Sequence, residues 1–317
     1  MITIFFKFDR IIITKEKEMI SDITTFFTTS SRNKNDETNK IREKILKVIC
    51  DPPKEYLESE EFGESWKKVH AAWNDILKEV ALEVGLEQDY TSTKIKVKGG
   101  RNSHYDADVS YYKGDTLITT IKVEFKNGCS KIDNLPQILS LQAKIDLFPE
   151  TYDTFWYKNY LDRYLACDDS ITESKPSLEE YLKNVTKIKY SVTPFFEQLK
   201  NKENNHKKEK NTVVNTSITD YLTKHGSTIN LKKFREKIKA TQTDKIYLLW
   251  CNGKFHIDKI NTDKINTDIS FHSIRNGNIL ELKEGNIIYC MLLRWRNHKG
   301  ILNPAWQIKI KKISIKI

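Results

Sequence analysis

The sequence predicts a mixed α/β fold of the α+β kind, a mixed sheet flanked by helices, and three observations carry that prediction. Ser65 to Val84 repeats apolar side chains at helical spacing. Tyr105–Tyr112 and Leu117–Lys126 alternate as two strands joined by the turn Lys113-Gly114-Asp115-Thr116. Beyond Thr241, strand-like runs are punctuated by Asn252-Gly253 and Asn276-Gly277 turns.

The 317 residues suffice for one large or two smaller domains, and 38% hydrophobic residues suffice for a core. A net charge of +10 points to an anionic partner, nucleic acid or an anionic membrane, and says nothing of fold. Cys50, Cys129, Cys167, Cys251 and Cys290 are scattered, so neither a zinc module nor a disulfide framework is expected. They read as reduced thiols of an intracellular protein, nuclear or cytoplasmic. Met1 to Thr14 is apolar but broken by Lys7, Asp9 and Arg10, too short to span a bilayer and lacking a signal-peptide pattern. No membrane partner is expected.

In chain order, residues 1–40 read as a disordered tail carrying one compact plug, Ile23, Phe26 and Phe27. Ile41, Ile45 and Val48 are spaced for a short helix that Pro52-Pro53 stops. The Ser65 helix follows, with Glu64 at its start complementing the helix dipole and His70 as a hydrogen-bonded core histidine. Thr93–Lys98 alternates into a strand, and the Tyr105 hairpin comes next. Asp133-Asn134-Leu135-Pro136 predicts a helix start, with the helix reaching Phe148 and carrying Gln137. Aromatic residues from Thr151 to Leu165 lie along another helix. Residues 166–240 form a helical insertion in which 200–216 is a charged linker. After it, Ile218, Tyr221 and Leu222 repeat the three-residue plug, or form a helix capped by Ser217 with Asp220 reaching back. Residues 241–317 are β-rich, and this part, with its Ile246 strand, either completes the sheet of the core after the helical insertion or contacts DNA. Arg294, Trp295, Arg296 and Lys299 interleave aromatic and basic groups there, as a base-stacking, phosphate-binding surface would or as a basic hairpin tip would.

The chemistry concentrates in the hairpin. Side chains two apart share a strand face, so Asp106 and Asp108 stand together, and so do Glu124 and Lys126. Carboxylates of this kind suit magnesium, with manganese as the substitute, which takes one or two of them plus water and phosphate. Glu281-Leu282-Lys283, with Asp268 before it, is a competing constellation that lacks the flanking helices. Asp108 followed by Glu124-Phe125-Lys126 resembles the signature of the PD-(D/E)XK nuclease superfamily, which includes restriction enzymes and Holliday-junction resolvases; Ala107 stands where the family name has proline.

The resemblance implies a restriction-endonuclease-like core over residues 41–165 and Mg2+-dependent hydrolysis of DNA. It implies Asp108 and Glu124 as metal ligands, with the Phe125 carbonyl as a further one, and Lys126 at the attacking water. Asp106 is the alternative first acid, Glu64 an auxiliary acid and Gln137 a supporting side chain. Arg101 and His104 would reach phosphate. The two plugs resemble the PCNA-interacting box, which implies a sliding clamp as a second partner. A sequence-specific type II-like restriction endonuclease and a non-catalytic clamp- and DNA-binding adaptor are the alternatives.

Overall fold

The computed structural model describes residues 23–28, 35–86, 89–98, 104–185, 193–202, 204–260, 268–298 and 301–312. The chain divides into two compact units, Met1–Asn134 with Gln242–Ile260, and Leu135–Thr241 with Asn261–Ile317. The first begins with a single 3₁₀ turn at Thr24–Phe26 and the helices α1 (Asn35–Val48), α2 (Lys54–Leu57) and α3 (Gly63–Glu83). Strands β1 (Ser92–Val97), β2 (Ala107–Lys113) and β3 (Thr116–Asn127) follow. The second unit then opens with β4 (Leu139–Gln142) and continues through α4 (Tyr152–Asn159), α5 (Leu161–Leu165), α6 (Leu178–Val185), α7 (Pro194–Asn201), α8 (Lys207–His225) and α9 (Leu231–Gln242). The chain returns to the first unit with β5 (Lys245–Cys251) and β6 (Lys254–Asp258) and ends with β7 (Ser270–Arg275), β8 (Ile279–Glu284), β9 (Ile287–His298) and β10 (Ile301–Lys312). The mixed α/β class expected from the sequence is what the chain forms.

The first unit's sheet runs β1-β2-β3-β5-β6, antiparallel throughout except for the parallel pair β3/β5. A parallel pair needs a long crossover, and here residues 135–241 of the second unit supply it. One face of the sheet is apolar: Val109 and Tyr111, Ile121, Val123 and Phe125, and Ile246, Leu248 and Trp250 belong to one core with Trp66, Val69, Trp73, Leu77 and Val80 of α3 and Ile45 and Ile49 from α1 and the turn after it. The Tyr111 hydroxyl donates to the Leu77 carbonyl (2.9 Å), which satisfies the one polar group of that pair inside the core. His70 holds the Ile49 carbonyl at 2.7 Å, the hydrogen-bonded role expected of it.

The β2/β3 hairpin turns at Gly114, whose φ of +59° meets the positive value that the first position of a type II′ turn requires. From the tip, Lys113 pairs with Thr116 and Tyr112 with Leu117. The register then shifts by one residue, and Tyr111 pairs with Thr119 and Asp108 with Lys122. This bulge decides the chemistry of the sheet. Directly opposed residues share a face, so without the extra residue Asp106 and Asp108 would lie among Val123 and Ile121. With it, both acids fall on the face of Lys122, Glu124 and Lys126. The turn between β5 and β6 has positive φ at both Asn252 (52°) and Gly253 (74°), as its Asn-Gly pair implies.

The second unit's sheet runs β4-β10-β9-β8-β7 and is antiparallel throughout. Four expectations about the elements and their bounds fail. The helix from Asp133 to Phe148 is replaced by a 3₁₀ turn, Ile132–Asn134, and by β4, whose pairing with β10 outweighs the local capping signals. The unit that holds the hairpin does not extend to residue 165: it stops at Asn134 and is completed by Gln242–Ile260, whose β5 joins β3. The charged stretch 200–216 is mostly helical, because Lys210 is buried in an ion pair with Asp168 (2.9 Å) and Val213 and Val214 enter the core. Residues 35–40, expected within a disordered tail, are the first turns of α1. Among the described residues no helix is long and apolar enough to cross a membrane.

Candidate functional site

The polar face of the first sheet carries its charged groups in rows set by register. Lys96 of β1, Asp108 of β2, Lys122 of β3 and Lys245 of β5 are level with one another. One step further, beyond the Ala107–Val123 pair, Asp106 comes level with Glu124.

Within these rows the side chains sort themselves sharply. The Lys126 ammonium donates to Glu124 Oε1 (2.6 Å) and lies 3.8 Å from Asp106 Oδ2. Asp106 Oδ2 also accepts the Phe125 N–H (2.9 Å). Because a residue's N–H and C=O point to the same side of a strand, the Phe125 carbonyl is turned toward the same edge as Asp106. Lys245 Nζ reaches Glu124 Oε2 (3.1 Å) and the His104 carbonyl (3.0 Å). Asp108 is drawn away: its Oδ2 pairs with Lys98 (2.8 Å), beside the Tyr105 hydroxyl. The carboxylate that adjoins Glu124 and Lys126 is therefore Asp106, the alternative first acid, rather than Asp108.

A further acid comes from α1. Glu43 is half-buried and feels the charges of Asp106 and Lys126. Glu64, the expected auxiliary acid, instead pairs with Lys67 one turn along α3, its side chain 90% exposed. Glu43 was missed because Lys40, Lys44 and Lys47 surround it in sequence and make it read as part of a solvated helix face.

The electrostatics follow from crowding. Burial pushes the Asp106 carboxyl above its ordinary value and the neighbouring Glu124 adds to this, against the opposing pull of Lys126. Burial likewise raises Glu43, helped by Asp106. Burial alone would depress Lys126, but Glu124, Asp106 and Glu43 together hold its ammonium above the usual lysine range. Lys245 moves the other way, lowered by burial despite Glu124. Acids on three elements thus share two ammonium groups of unlike character.

Among the described residues no group of three or more His, Cys, Asp and Glu side chains is gathered as a metal site. The donors at this site are the carboxylates of Asp106 and Glu124, with Glu43 nearby. Magnesium or manganese needs one or two carboxylates and takes its other ligands from water and phosphate. The donor set fits such an ion, and a cation, the Lys126 ammonium, already lies between the two carboxylates.

The remaining expected residues lie elsewhere. Gln137 belongs to the second unit, in the irregular segment before β4 rather than on a helix. His104 is exposed and contributes its carbonyl to Lys245. Arg101 and Lys299, and the side chain of Arg296, fall outside the described residues. Trp295 is not a free stacking platform: its ring packs on Trp156 (4.5 Å between centroids) and its indole N–H donates to the Tyr152 hydroxyl (3.0 Å), with Arg294 next to it half-buried.

Both plugs are core. Ile23 and Phe26 are buried, with Phe26 against Phe125, Trp250 and Phe255, while Phe27 is 42% exposed over the edge of Trp250. The buried Arg42 guanidinium latches this turn through the carbonyls of Thr25 (2.9 Å) and Thr28 (2.7 Å). Ile218, Tyr221 and Leu222 are buried on α8, where Ser217 is interior and not a cap, and Asp220 accepts the Tyr160 hydroxyl. A motif spaced i, i+3, i+4 marks a helical apolar face equally for a partner's groove and for the protein's own core, and here it is the core. The competing Glu281 is also structural: buried in the second sheet, it is paired with Arg275 (2.7 Å), hydrogen-bonded by Ser273 (3.0 Å) and held down to a pKa of about 2 by them against its burial. No family model, curated protein or solved structure matches the chain.

Proposed function

We propose that the chain is a metal-dependent deoxyribonuclease of the PD-(D/E)XK kind, with its active site at Asp106, Glu124 and Lys126. The observation that carries this reading is that one bulged hairpin gathers two carboxylates around one ammonium on the polar face of the sheet, with Glu124 hydrogen-bonded to Lys126 at 2.6 Å and Asp106 at ion-pair distance, 3.8 Å. The order of elements supports it: a helix, a three-stranded antiparallel meander, and a further strand parallel to the third.

A divalent ion held by Asp106 and Glu124, with the Phe125 carbonyl, would supply the charge that draws a phosphodiester in and stabilises the negative charge growing on it. Lys126, hydrogen-bonded to Glu124 and near Asp106, would orient the attacking water and meet a phosphate oxygen. The same face leads to exposed Lys94, Lys96 and Lys122, which suit the phosphates on either side of the scissile bond. Neither plug offers a free face for docking on a sliding clamp, because five of the six side chains it would use are buried and Phe27 alone is exposed.

The test is cleavage of duplex, nicked, flap and four-way-junction DNAs by the purified chain with Mg2+, with Mn2+ and with chelator. Cleavage of at least one substrate that requires a metal is expected. No cleavage of any of them with either metal contradicts the proposal.

A further inference from the structure

We propose that Lys245 is the positioning residue of this site, one ammonium that sets the spacing of both carboxylates; the inference rests on the nuclease reading above. Lys245 opens β5 and its side chain is only 4% exposed, whereas Lys126 is 31% exposed. A buried ammonium is tolerated where good acceptors surround it, and this one has two, one on β3 and one in the segment that leads into β2. Glu124 Oε2 lies at 3.1 Å and the His104 carbonyl at 3.0 Å.

The first contact fixes Glu124. With Oε1 on Lys126 (2.6 Å) and Oε2 on Lys245, the carboxylate is gripped at both oxygens and cannot rotate about its last bond without losing one. The second contact fixes the approach to Asp106, two residues after His104 and itself tied to the Phe125 N–H. One side chain from the parallel strand therefore braces the acid of β3 and the entry to β2 at once. Lys126, the more open of the two, is left to meet substrate. Lys245 lies 121 residues beyond Glu124 in the chain, so the site is complete only after the chain has crossed the second unit and come back.

The test compares the full-length wild type with Lys245→Met, which keeps the length of the aliphatic stem, and Lys245→Arg, which keeps the charge. Each is assayed for metal-dependent cleavage with kcat and KM resolved, and for thermal unfolding. Lys245→Met is expected to lower kcat by about 10- to 100-fold, the range for residues that orient metal ligands, while KM for DNA stays within about twofold. Lys245→Arg is expected to recover at least about a third of the wild-type rate.

Three results overturn the inference: Lys245→Met cleaving within about threefold of wild type, the loss falling on KM, or Lys245→Arg being no better than Lys245→Met. Should Lys245→Met fail to fold, Lys245→Gln, which keeps a donor for Glu124 without the charge, takes its place under the same limits. A wild type that cleaves nothing overturns the nuclease reading and this inference with it, whereas active wild type with an equally active Lys245→Met overturns this inference alone.

Discussion

The Phe26 ring lies 5.6 Å from the Phe125 ring, so the N-terminal 3₁₀ turn is packed directly behind the residue that separates Glu124 from Lys126. The two faces of β3 are thereby linked: what supports Phe125 on the apolar side holds the acid and the amine in place on the other.

Removing that support should cost stability before it costs chemistry. Phe26→Ala is expected to destabilise the first unit by about 3–5 kcal/mol, the range for deleting a buried ring, and to lower cleavage only in proportion to the unfolded fraction. Phe27→Ala, at a half-exposed position, should cost less than about 1 kcal/mol. Denaturant unfolding of the two variants, read beside activity at low temperature, checks both statements.

The bulge in β3 predicts an asymmetry between substitution and deletion. Ile118 is 39% exposed where the register shifts, so Ile118→Ala should be nearly neutral. Deleting Ile118 should flip the phase of the strand, setting the Asp106 row against the apolar core. Loss of the folded state by circular dichroism is expected for the deletion alone.

Much of this arrangement could be read in the sequence, and the part that could not has physical causes. Alternation disclosed that Glu124 shares a face with Lys126 and Asp106 with Asp108, since period two is a local property. Which aspartate meets Glu124 depends on register, and register depended on a one-residue bulge that no turn residue announces. Lys245 had no local signal, being one of many lysines and joined to the site only by a parallel pairing across the second unit. The plugs misled because apolar helical spacing has the same form wherever the partner surface comes from. At Asp133–Pro136 the capping and proline signals were genuine, but strand pairing at Leu139–Gln142 overrode them.

Asp153 makes the stability of the second unit pH-dependent. It is buried at the start of α4, its Oδ1 has no hydrogen-bond partner, and burial raises its carboxyl to a pKa of about 7 from an ordinary 3.8, against a weaker pull from Lys144. A carboxyl raised in the folded state keeps its proton longer there than in the unfolded chain. Its contribution is therefore fully present below about pH 4 and is lost progressively as pH rises to about 7. The loss is on the order of 4 kcal/mol at 1.36 kcal/mol per pH unit. Denaturant unfolding of the second unit's transition should show this decline in the wild type and a flatter profile in Asp153→Asn.

The lysines flanking the site should act on binding and leave the chemical step alone. Replacing Lys94, Lys96 and Lys122 together with alanine is expected to reduce the slope of log affinity against log salt by about 2.7, at roughly 0.9 per phosphate contact on duplex DNA. Titrations with chelator present, so that no cleavage intervenes, measure it at several salt concentrations. A slope unchanged within error would place the DNA on another surface.

The most direct measurement is metal-dependent DNA cleavage by Asp106→Asn and Asp108→Asn side by side, with DNA binding as the control. Asp106 touches the Phe125 N–H and neighbours Lys126, whereas Asp108 is spent on Lys98. The account predicts that Asp106→Asn loses cleavage by about 1000-fold or more, as removal of a group acting on the transition state does, while Asp108→Asn stays within about tenfold and both still bind DNA. Full activity of Asp106→Asn, whatever Asp108→Asn does, would contradict it.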